Sequence, residues 1–261
     1  MKTVKRHWRE YFIEAGLLAV FMLSACFFTA LLEHPASPLA SAQLSGSLRR
    51  ACIGIAMGVT AILLIYSPAG RRSGAHMNPS VTFTFYRLGK IAWQDAVLYG
   101  LAQFTGAAAA VWIAAMLFPG FVGHPSVDYV VTEPGPLGVA AAFAAEAAIS
   151  FVLMFVVLKT SSSPRFGRYT GFCAGLMVAT FISIEAPLSG MSMNPARSFG
   201  SALVAGHWQA IWLYFLAPTY GMLLAAELYV RQKGREAFLC AKMHHDHRYP
   251  CLFCDHHKGR P

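Results

Sequence analysis

The sequence predicts an all-α membrane protein with six transmembrane helices and two re-entrant half-helices, arranged as an inverted 3+3 repeat. First, 56% of the 261 residues are hydrophobic and 13% are charged, which excludes an ordinary soluble domain. Second, six apolar runs are long enough to cross about 30 Å of hydrocarbon. Third, two shorter apolar runs each follow the pattern Ser-Gly-x-x-Met-Asn-Pro-small, which occurs once in each half of the chain.

The six long runs set the predicted transmembrane helices. They lie at roughly 11–32, 48–67, 93–117, 138–159, 169–187 and 208–230. The two shorter runs, at about 78–87 and 194–205, cannot span the membrane. Interrupted segments at matching places in two halves indicate a site at the membrane midplane. Because each half has three spans, the second half must be inverted, and the half-helices meet N-terminus to N-terminus.

The repeated pattern predicts how each half-helix begins. Asparagine is a good N-cap, and proline is favoured at the first helical position. The residues concerned are Asn78, Pro79 and Ser80 in the first copy and Asn194, Pro195 and Ala196 in the second. Each asparagine offers amide donors, and each helix N-terminus contributes about half a positive charge. Both features would orient a water molecule and repel cations at the midplane.

The paired pattern resembles the double Asn-Pro-Ala signature of the aquaporin family, the major intrinsic proteins. The resemblance covers about residues 10–230, and the first copy departs from it by ending in Ser80. It implies an aquaporin-like passive channel that conducts water and excludes protons and ions. It also implies a homotetramer with one pore per subunit and no required cofactor.

The same resemblance implies a selectivity filter around Arg197, three residues after Asn194. An alignment without gaps on the two motifs puts the other filter positions at Gly58, Ile182 and Met191. Glycine removes aromatic bulk and isoleucine removes a polar donor. We therefore expect a wide, apolar filter, unless the flexible Met191 side chain folds across it.

Three other positions are similar to those of water channels. Ser198 after the arginine, and Tyr214 and Phe215 before Pro218, are similar to water channels. The mixture of filter residues most resembles nodulin-type plant channels and their bacterial relatives. This resemblance implies passage of glycerol, urea and undissociated metalloid acids as well as water. A strictly water-selective pore is the alternative.

Four polar residues in or near the spans have supporting roles in this interpretation. Glu14 and Glu146 begin similar stretches in the two halves, and we expect their carboxylates to accept hydrogen bonds from the re-entrant backbone. His76 lies two residues before Asn78 and is either a satisfied structural histidine or a pH gate. Gln103 begins a segment of small residues that is typical of a helix crossing.

The basic residues predict the topology. Eighteen of the 21 Lys and Arg residues lie on one face of the predicted arrangement, which places both termini in the cytoplasm of a multi-pass protein in a plasma or inner membrane. Arg49 and Arg50 break this rule. Topology thus explains the net charge of +9, and nucleic acid is excluded as a partner. The predicted divisions are an N-terminus at 1–10, a channel domain at 11–230 with repeats at about 11–117 and 138–230, and a tail at 231–261.

The cytoplasmic tail is rich in cysteine and histidine. A C-x-x-C pair with a further cysteine and histidines has the ligands that zinc prefers. The candidates are Cys240, Cys251 and Cys254 with one of His244, His247, His256 or His257. A disordered histidine-rich tail is the alternative.

Three further function classes stay open or are excluded. A closed-pore membrane protein with a metal-sensing tail is one alternative to a channel, and a secondary transporter is another. Coupled transport usually needs ionisable groups at the midplane, and the spans offer few. An enzyme is not expected, because no pairing of a nucleophile with a base is visible in the sequence.

Overall fold

The computed structural model describes residues 2–238, 240–246, 248–249 and 251–254. The regular structure in these residues is helical, which confirms the all-α prediction. The first half contains α1 (Lys2–Glu33), α2 (Gly46–Tyr66), α3 (Pro68–Ser73), α4 (Pro79–Arg87), α5 (Trp93–Leu117) and α6 (Pro119–Val122). The second half contains α7 (Gly138–Ser161), α8 (Thr170–Ile184), α9 (Ala186–Ser189), α10 (Pro195–Ala205) and α11 (Ile211–Lys233). Short 3-10 helices lie at Ala40–Ala42, Asp128–Val130, Gly167–Tyr169 and Arg235–Ala237.

Five of these helices are long and apolar enough to cross a membrane, namely α1 from His7 onward, α2, α5, α7 and α11. The sixth predicted span corresponds to α8, which has 15 residues and therefore a length of about 22 Å. After Glu185 the chain continues into α9, so the predicted run at 169–187 is two helices in succession.

The two halves are repeats that interlock. Helix α1 packs on α5 and α7 packs on α11, while α2 of the first half packs on α8 of the second. Each half-helix packs mainly on the last long helix of the other half, because α4 contacts α11 and α10 contacts α5. Helices of both halves therefore enclose each re-entrant segment.

Glycine allows the closest of these helix contacts. A Cβ atom added at Gly106 of α5 would lie 2.2 Å from the carbonyl oxygen of Ala15. The matching position in the second half is Gly221 of α11, where a Cβ would lie 2.1 Å from the carbonyl oxygen of Ala147. The helix backbones are thus in direct contact, as is typical of membrane helices with small residues at their crossings.

The re-entrant loops carry strained backbone at matching positions. Ala75 and Met77 in the first loop have positive φ angles of 53° and 47°, and Met191 and Met193 in the second have 49° and 54°. Such conformations cost about 1–3 kcal/mol each for a residue other than glycine. The loops must therefore be held by bonds from the surrounding helices.

Glu14 of α1 provides those bonds in the first half. Its fully buried carboxylate accepts hydrogen bonds from the backbone N–H groups of His76, at 3.0 Å, and Met77, at 2.7 Å. It also accepts from the hydroxyl of Ser73, at 2.7 Å, and from Nε2 of Gln103, at 2.8 Å. All four groups donate to the Glu14 carboxylate, which in its ionised form can only accept hydrogen bonds.

Glu146 of α7 does the same in the second half. Its carboxylate is also fully buried and accepts from the backbone N–H groups of Ser192, at 2.6 Å, and Met193, at 2.7 Å. The hydroxyl of Ser189 adds a third bond at 2.8 Å. Because these contacts match those of Glu14, each of the two loops is held by hydrogen bonds to a buried glutamate.

We expect Glu146→Gln to destabilise the protein by about 1–3 kcal/mol, because one carboxylate oxygen becomes an NH₂ group that faces N–H donors. The measurement is thermal stability in detergent, read as the fraction that stays monodisperse after heating. Glu227→Gln on α11 is the matched control. Its carboxylate is exposed and pairs with Arg87 at 2.7 Å, so little change is expected. Equal losses of thermal stability in the two variants would contradict the role of Glu146 in holding the second loop.

Candidate functional site

A cavity of about 290 Å³ runs between the two halves. Its wall follows α1 from Leu18 to Thr29 and α2 from Arg50 to Ile65. The stretch of α2 alone has a length of about 22 Å, which is most of the hydrocarbon thickness. Both re-entrant loops and both asparagines line the same cavity. The arrangement is an elongated, mostly apolar passage. A few polar groups lie where the two re-entrant loops meet, and we call this region the waist.

The two asparagines form that waist. Oδ1 of Asn78 accepts from the backbone N–H of Ser80 at 2.8 Å, and Oδ1 of Asn194 accepts from the N–H of Ala196 at 3.0 Å. Each amide also donates across the waist. Nδ2 of Asn78 donates to the carbonyl of Met193 at 2.6 Å, and Nδ2 of Asn194 donates to the carbonyl of Met77 at 2.7 Å. Since an amide has two N–H groups, one on each asparagine is left for a molecule in the cavity.

The residues after each asparagine have packing roles. Ser80 is buried, and its hydroxyl lies 2.8 Å from the hydroxyl of Thr219 on α11. A serine at this position therefore bonds to the opposite half, which alanine could not do. Ala196 is fully buried and belongs to an apolar cluster with Met57 and Ile182. Pro79 and Pro195 occupy the first turns of α4 and α10.

Arg197 of α10 lines the cavity beyond the waist. Its Nη1 atom is buried and has no hydrogen-bond partner among the described residues. A buried charged donor without a partner is costly, so a passing polar molecule would gain by accepting from it. Arg50 of α2 lines the same cavity and was not expected in the site.

The filter differs from the expectation at one position. Ile182 and Met191 line the cavity, but Gly58 faces helix α8 instead. A Cβ at Gly58 would lie 2.5 Å from the carbonyl oxygen of Gly175. Met57 takes the cavity position, and it is one of a row of α2 residues spaced four apart at 53, 57, 61 and 65. Four-residue spacing keeps side chains on one face of a helix.

A difference in the length of the connection between α2 and the first motif would produce this shift. The connection in this chain contains the six-residue helix α3. Counting back from Asn78 without gaps assumes a fixed connection, and one extra residue rotates the assignment by about 100° around the helix. Methionine therefore lines the cavity where the alignment put glycine, so this part of the cavity wall is apolar and is not widened by a missing side chain.

His76 and Gln103 are both engaged by protein groups. Nε2 of His76 donates to the carbonyl oxygen of Ala241 at 2.6 Å, and its Nδ1 lies 3.0 Å from Oγ1 of Thr82. Nε2 of Gln103 donates to Glu14 at 2.8 Å and lies 3.2 Å from Oγ1 of Thr82. His76 therefore joins the first re-entrant loop to the tail.

The tail folds back over one end of the cavity. The backbone N–H of Met243 donates to the carbonyl of Gly74 at 3.0 Å, and the Met243 side chain lines the cavity. Nζ of Lys242 donates to the carbonyl of Arg71 at 2.7 Å, and Arg71 pairs with Asp246 at 3.1 Å. The described tail residues, 240–246, 248–249 and 251–254, thus include a segment that packs against the rest of the structure.

Two charged groups beside the tail have shifted pKa values. Hydrogen bonds from Arg248 and Arg71 hold the pKa of the Asp246 carboxyl well below its ordinary value, so it stays ionised at neutral pH. Lys90, in the connection after α4, is almost fully buried. Loss of hydration lowers the pKa of its ammonium group, and attraction to Glu236 opposes that shift.

Four tail side chains form a candidate metal centre. The ligand atoms of Cys240, His245, Cys251 and Cys254 all lie within 4.8 Å of one another. Sγ of Cys240 is 3.4 Å from Sγ of Cys251 and 3.2 Å from Nδ1 of His245. In a tetrahedral zinc site, ligand atoms lie about 3.5–3.8 Å apart, so this set of three thiols and one imidazole fits zinc.

The histidine in this cluster is not one of the sequence candidates. The ring of His244 packs against Tyr66 with 4.8 Å between centroids, away from the thiols, and its neighbour His245 turns toward them. The candidates His247, His256 and His257 lie outside the described residues. The sequence shows two neighbouring histidines, His244 and His245, close to Cys240. In an irregular segment, however, spacing does not indicate which of the two side chains points toward the thiols.

Comparisons with known proteins agree with this geometry. A solved structure of the aquaglyceroporin from Plasmodium falciparum covers 85% of this chain and 95% of its own, with a TM-score of 0.73 at 20% identity, which shows the fold. Aquaporin NIP3-1 of Oryza sativa subsp. japonica is 35% identical over 207 residues, 77% of this chain and 63% of its own length. The chain thus matches less than two thirds of that relative. Probable aquaporin NIP7-1 of Arabidopsis thaliana is 31% identical over 84% of this chain and 78% of its own length.

The family model of the major intrinsic proteins matches residues 2–229, which include α1 to α10 and most of α11. The similarity to nodulin-type aquaporins confirms the resemblance suggested by the motif and filter residues. The chain therefore belongs to the major intrinsic protein family, whose members are integral membrane channels and not enzymes.

Proposed function

We propose that this protein is a passive channel for water and small uncharged solutes such as glycerol, urea and undissociated metalloid acids, and that it excludes protons and ions. The observation that carries the proposal is the pair of crossed asparagine amides at the waist of a long cavity. The relatives support the same class, since one is named an aquaglyceroporin and others are named NIP aquaporins.

The waist would orient water by hydrogen bonding. Oδ1 of each asparagine and one of its N–H groups are already committed to the protein. The remaining N–H groups of Asn78 and Asn194 both donate, so a water between them must accept twice and turn its hydrogens outward. This arrangement interrupts the chain of hydrogen bonds along which protons hop. The two half-helix N-termini add positive potential that opposes cations.

The filter would select by dehydration. Arg197 offers a donor and a positive charge, while Met57, Ile182 and Met191 offer apolar surface. An ion that loses hydration water here recovers little from an apolar wall. A small neutral solute loses less, and its carbon atoms contact the methionine and isoleucine side chains. Closure of the passage by Met57 and Met191 would instead give a strictly water-selective pore.

Placement and assembly are part of the proposal. The distribution of Lys and Arg supports cytoplasmic termini, with the tail at the inner mouth. Large exposed apolar side chains on the outer helix faces, such as Phe12, Leu63 and Leu176, suit contact with lipid. Division into an N-terminus, a channel domain and a tail, and assembly as a homotetramer, remain expectations from the sequence and the family.

The tail cluster is proposed to bind zinc. Three thiols and one imidazole are soft ligands that favour Zn²⁺ over Mg²⁺ or Ca²⁺, and their separations suit four-coordination. The channel itself needs no cofactor, so this metal would serve the tail.

We expect Arg197→Ala to admit monovalent cations. A unit charge about 6 Å from the passage, at an effective dielectric constant of about 20, contributes about 2.8 kcal/mol to the barrier, or roughly 100-fold in rate. Sodium and proton leak into proteoliposomes, measured with entrapped dyes, should rise while water permeability is kept. Leu203→Ala, an exposed position on the same helix, is the control. Unchanged leak in Arg197→Ala would remove this residue from the filter.

We expect Met57→Ala to raise glycerol permeability more than water permeability, because it widens the filter without adding a polar group. The increase in the glycerol-to-water ratio should be about tenfold if steric hindrance costs about 1.4 kcal/mol. Stopped-flow light scattering measures both fluxes. Leu63→Ala, which faces outward on the same helix, should leave the ratio unchanged. Gly58→Ala would instead push α2 from α8 and lower the yield of folded protein, since its Cβ overlaps the Gly175 carbonyl.

We expect the purified protein to hold one zinc ion per chain. Removing two of four ligands should cost at least about tenfold in affinity, since even outer-shell changes cost about 10–100-fold. Elemental analysis of wild-type protein and Cys251→Ser/Cys254→Ser, after dialysis against buffered Zn²⁺, measures this. Cys173→Ser on α8 lies outside the cluster and should keep its zinc. Equal zinc content in all three proteins would exclude the tail cluster.

A further inference from the structure

The tail closes the inner end of the cavity. Met243 lines the cavity at the end where Ile65, Ala75 and His76 also lie, and only 5% of its surface is exposed. The opposite end is lined by Thr29 and Arg50. A water or solute leaving past His76 would therefore meet the tail before it reached the solvent.

Several contacts hold this segment against the channel. Met243 N–H to the Gly74 carbonyl is the backbone pair that joins the described part of the tail to the first re-entrant loop. His76 adds its bond to Ala241, and the ring of Phe253 stacks on the ring of His76 with 5.2 Å between centroids. Phe253 and Ala241 are fully buried. These contacts lie on two tail stretches, 240–246 and 251–254, and a link between the two stretches would stabilise both.

The cluster of metal ligands brackets these contacts. Cys240 and His245 lie on either side of the stretch that contains Ala241 and Met243. Cys251 and Cys254 lie on either side of Phe253 in the same way. One ion bound by all four would therefore join the two contact stretches and fix both against the mouth.

We propose that Zn²⁺ at Cys240, His245, Cys251 and Cys254 holds the tail as a plug on the inner mouth, and that loss of the ion opens the channel. This inference rests on the proposed channel function. If only the docked tail assembles all four ligands, free zinc at 100 times its dissociation constant multiplies the ratio of docked to undocked tail by about 100. The concentration of available zinc would thus set the fraction of open channels.

The test uses the full-length protein in proteoliposomes, either loaded with buffered Zn²⁺ or stripped with a membrane-permeable chelator. Osmotic shrinkage followed by stopped-flow light scattering gives water permeability. We expect stripping to raise it by about tenfold or more, as the docked population falls. Cys251→Ser/Cys254→Ser should be as permeable as the stripped protein under both conditions. Cys173→Ser should respond to zinc as wild type does.

A further variant separates plugging from a purely structural metal site. Met243→Ala removes the side chain that enters the cavity and leaves all four ligands in place. It should keep its zinc and yet be more permeable than wild type in the zinc-loaded state. Zinc-loaded permeability equal to that of wild type would contradict the placement of Met243 in the passage.

Protease access gives a readout that does not depend on flux. Lys242 is 2% exposed, so trypsin can cleave after it only when the tail has left the mouth. We expect zinc to protect this bond and stripping to expose it. Permeability that ignores zinc, in a protein whose zinc content does change, would overturn the plug. Absence of flux from every preparation, with zinc-dependent protection of Lys242 intact, would instead contradict the proposed channel function.

Discussion

Two buried carboxylates hold the structure around its passage. The re-entrant loops have non-helical backbone at a depth where unpaired N–H groups cost several kcal/mol each. Glu14 and Glu146 satisfy those groups from the long helices, at distances between 2.6 and 3.0 Å. Without these bonds, the positive φ angles of the loops would be uncompensated. The half-helices would then have no fixed direction, and the asparagines would not meet.

The same loops join the two repeats to each other. Each asparagine caps its own half-helix and donates to a carbonyl of the other loop, so the waist forms only when both halves are in register. Packing of α4 on α11 and of α10 on α5 gives the same dependence at the level of helices. In the inverted repeat, each half therefore supplies a long helix against which the half-helix of the other half packs.

Much of this could be predicted from the sequence, because the signals were local or repeated. Helix bounds followed from apolar runs, and the half-helices followed from Asn-Pro at matching positions. The position of Met57 could not be predicted, since an alignment without gaps assumes one fixed length for the connection between α2 and the first motif. The direction of His245 toward the thiols depends on how an irregular segment packs against Tyr66 and the first loop. Tertiary contacts of this kind do not appear as a periodic pattern in the sequence.

In the proposed channel, selectivity would follow from which polar groups the protein leaves unsatisfied. Other protein groups bond to Ser80, His76 and the two glutamates, and Gln103 is bonded through its Nε2 atom. Among the described side chains that line the cavity, the donors left for a solute include Nη1 of Arg197, Nε of Arg50 and one N–H of each waist asparagine. In the proposed channel, donors and helix N-termini would oppose cations, and the apolar stretch of Met57, Ile182 and Met191 would replace little of the hydration that an ion loses. A small neutral molecule that accepts a hydrogen bond would meet neither barrier, so the same few side chains would serve both charge exclusion and solute passage.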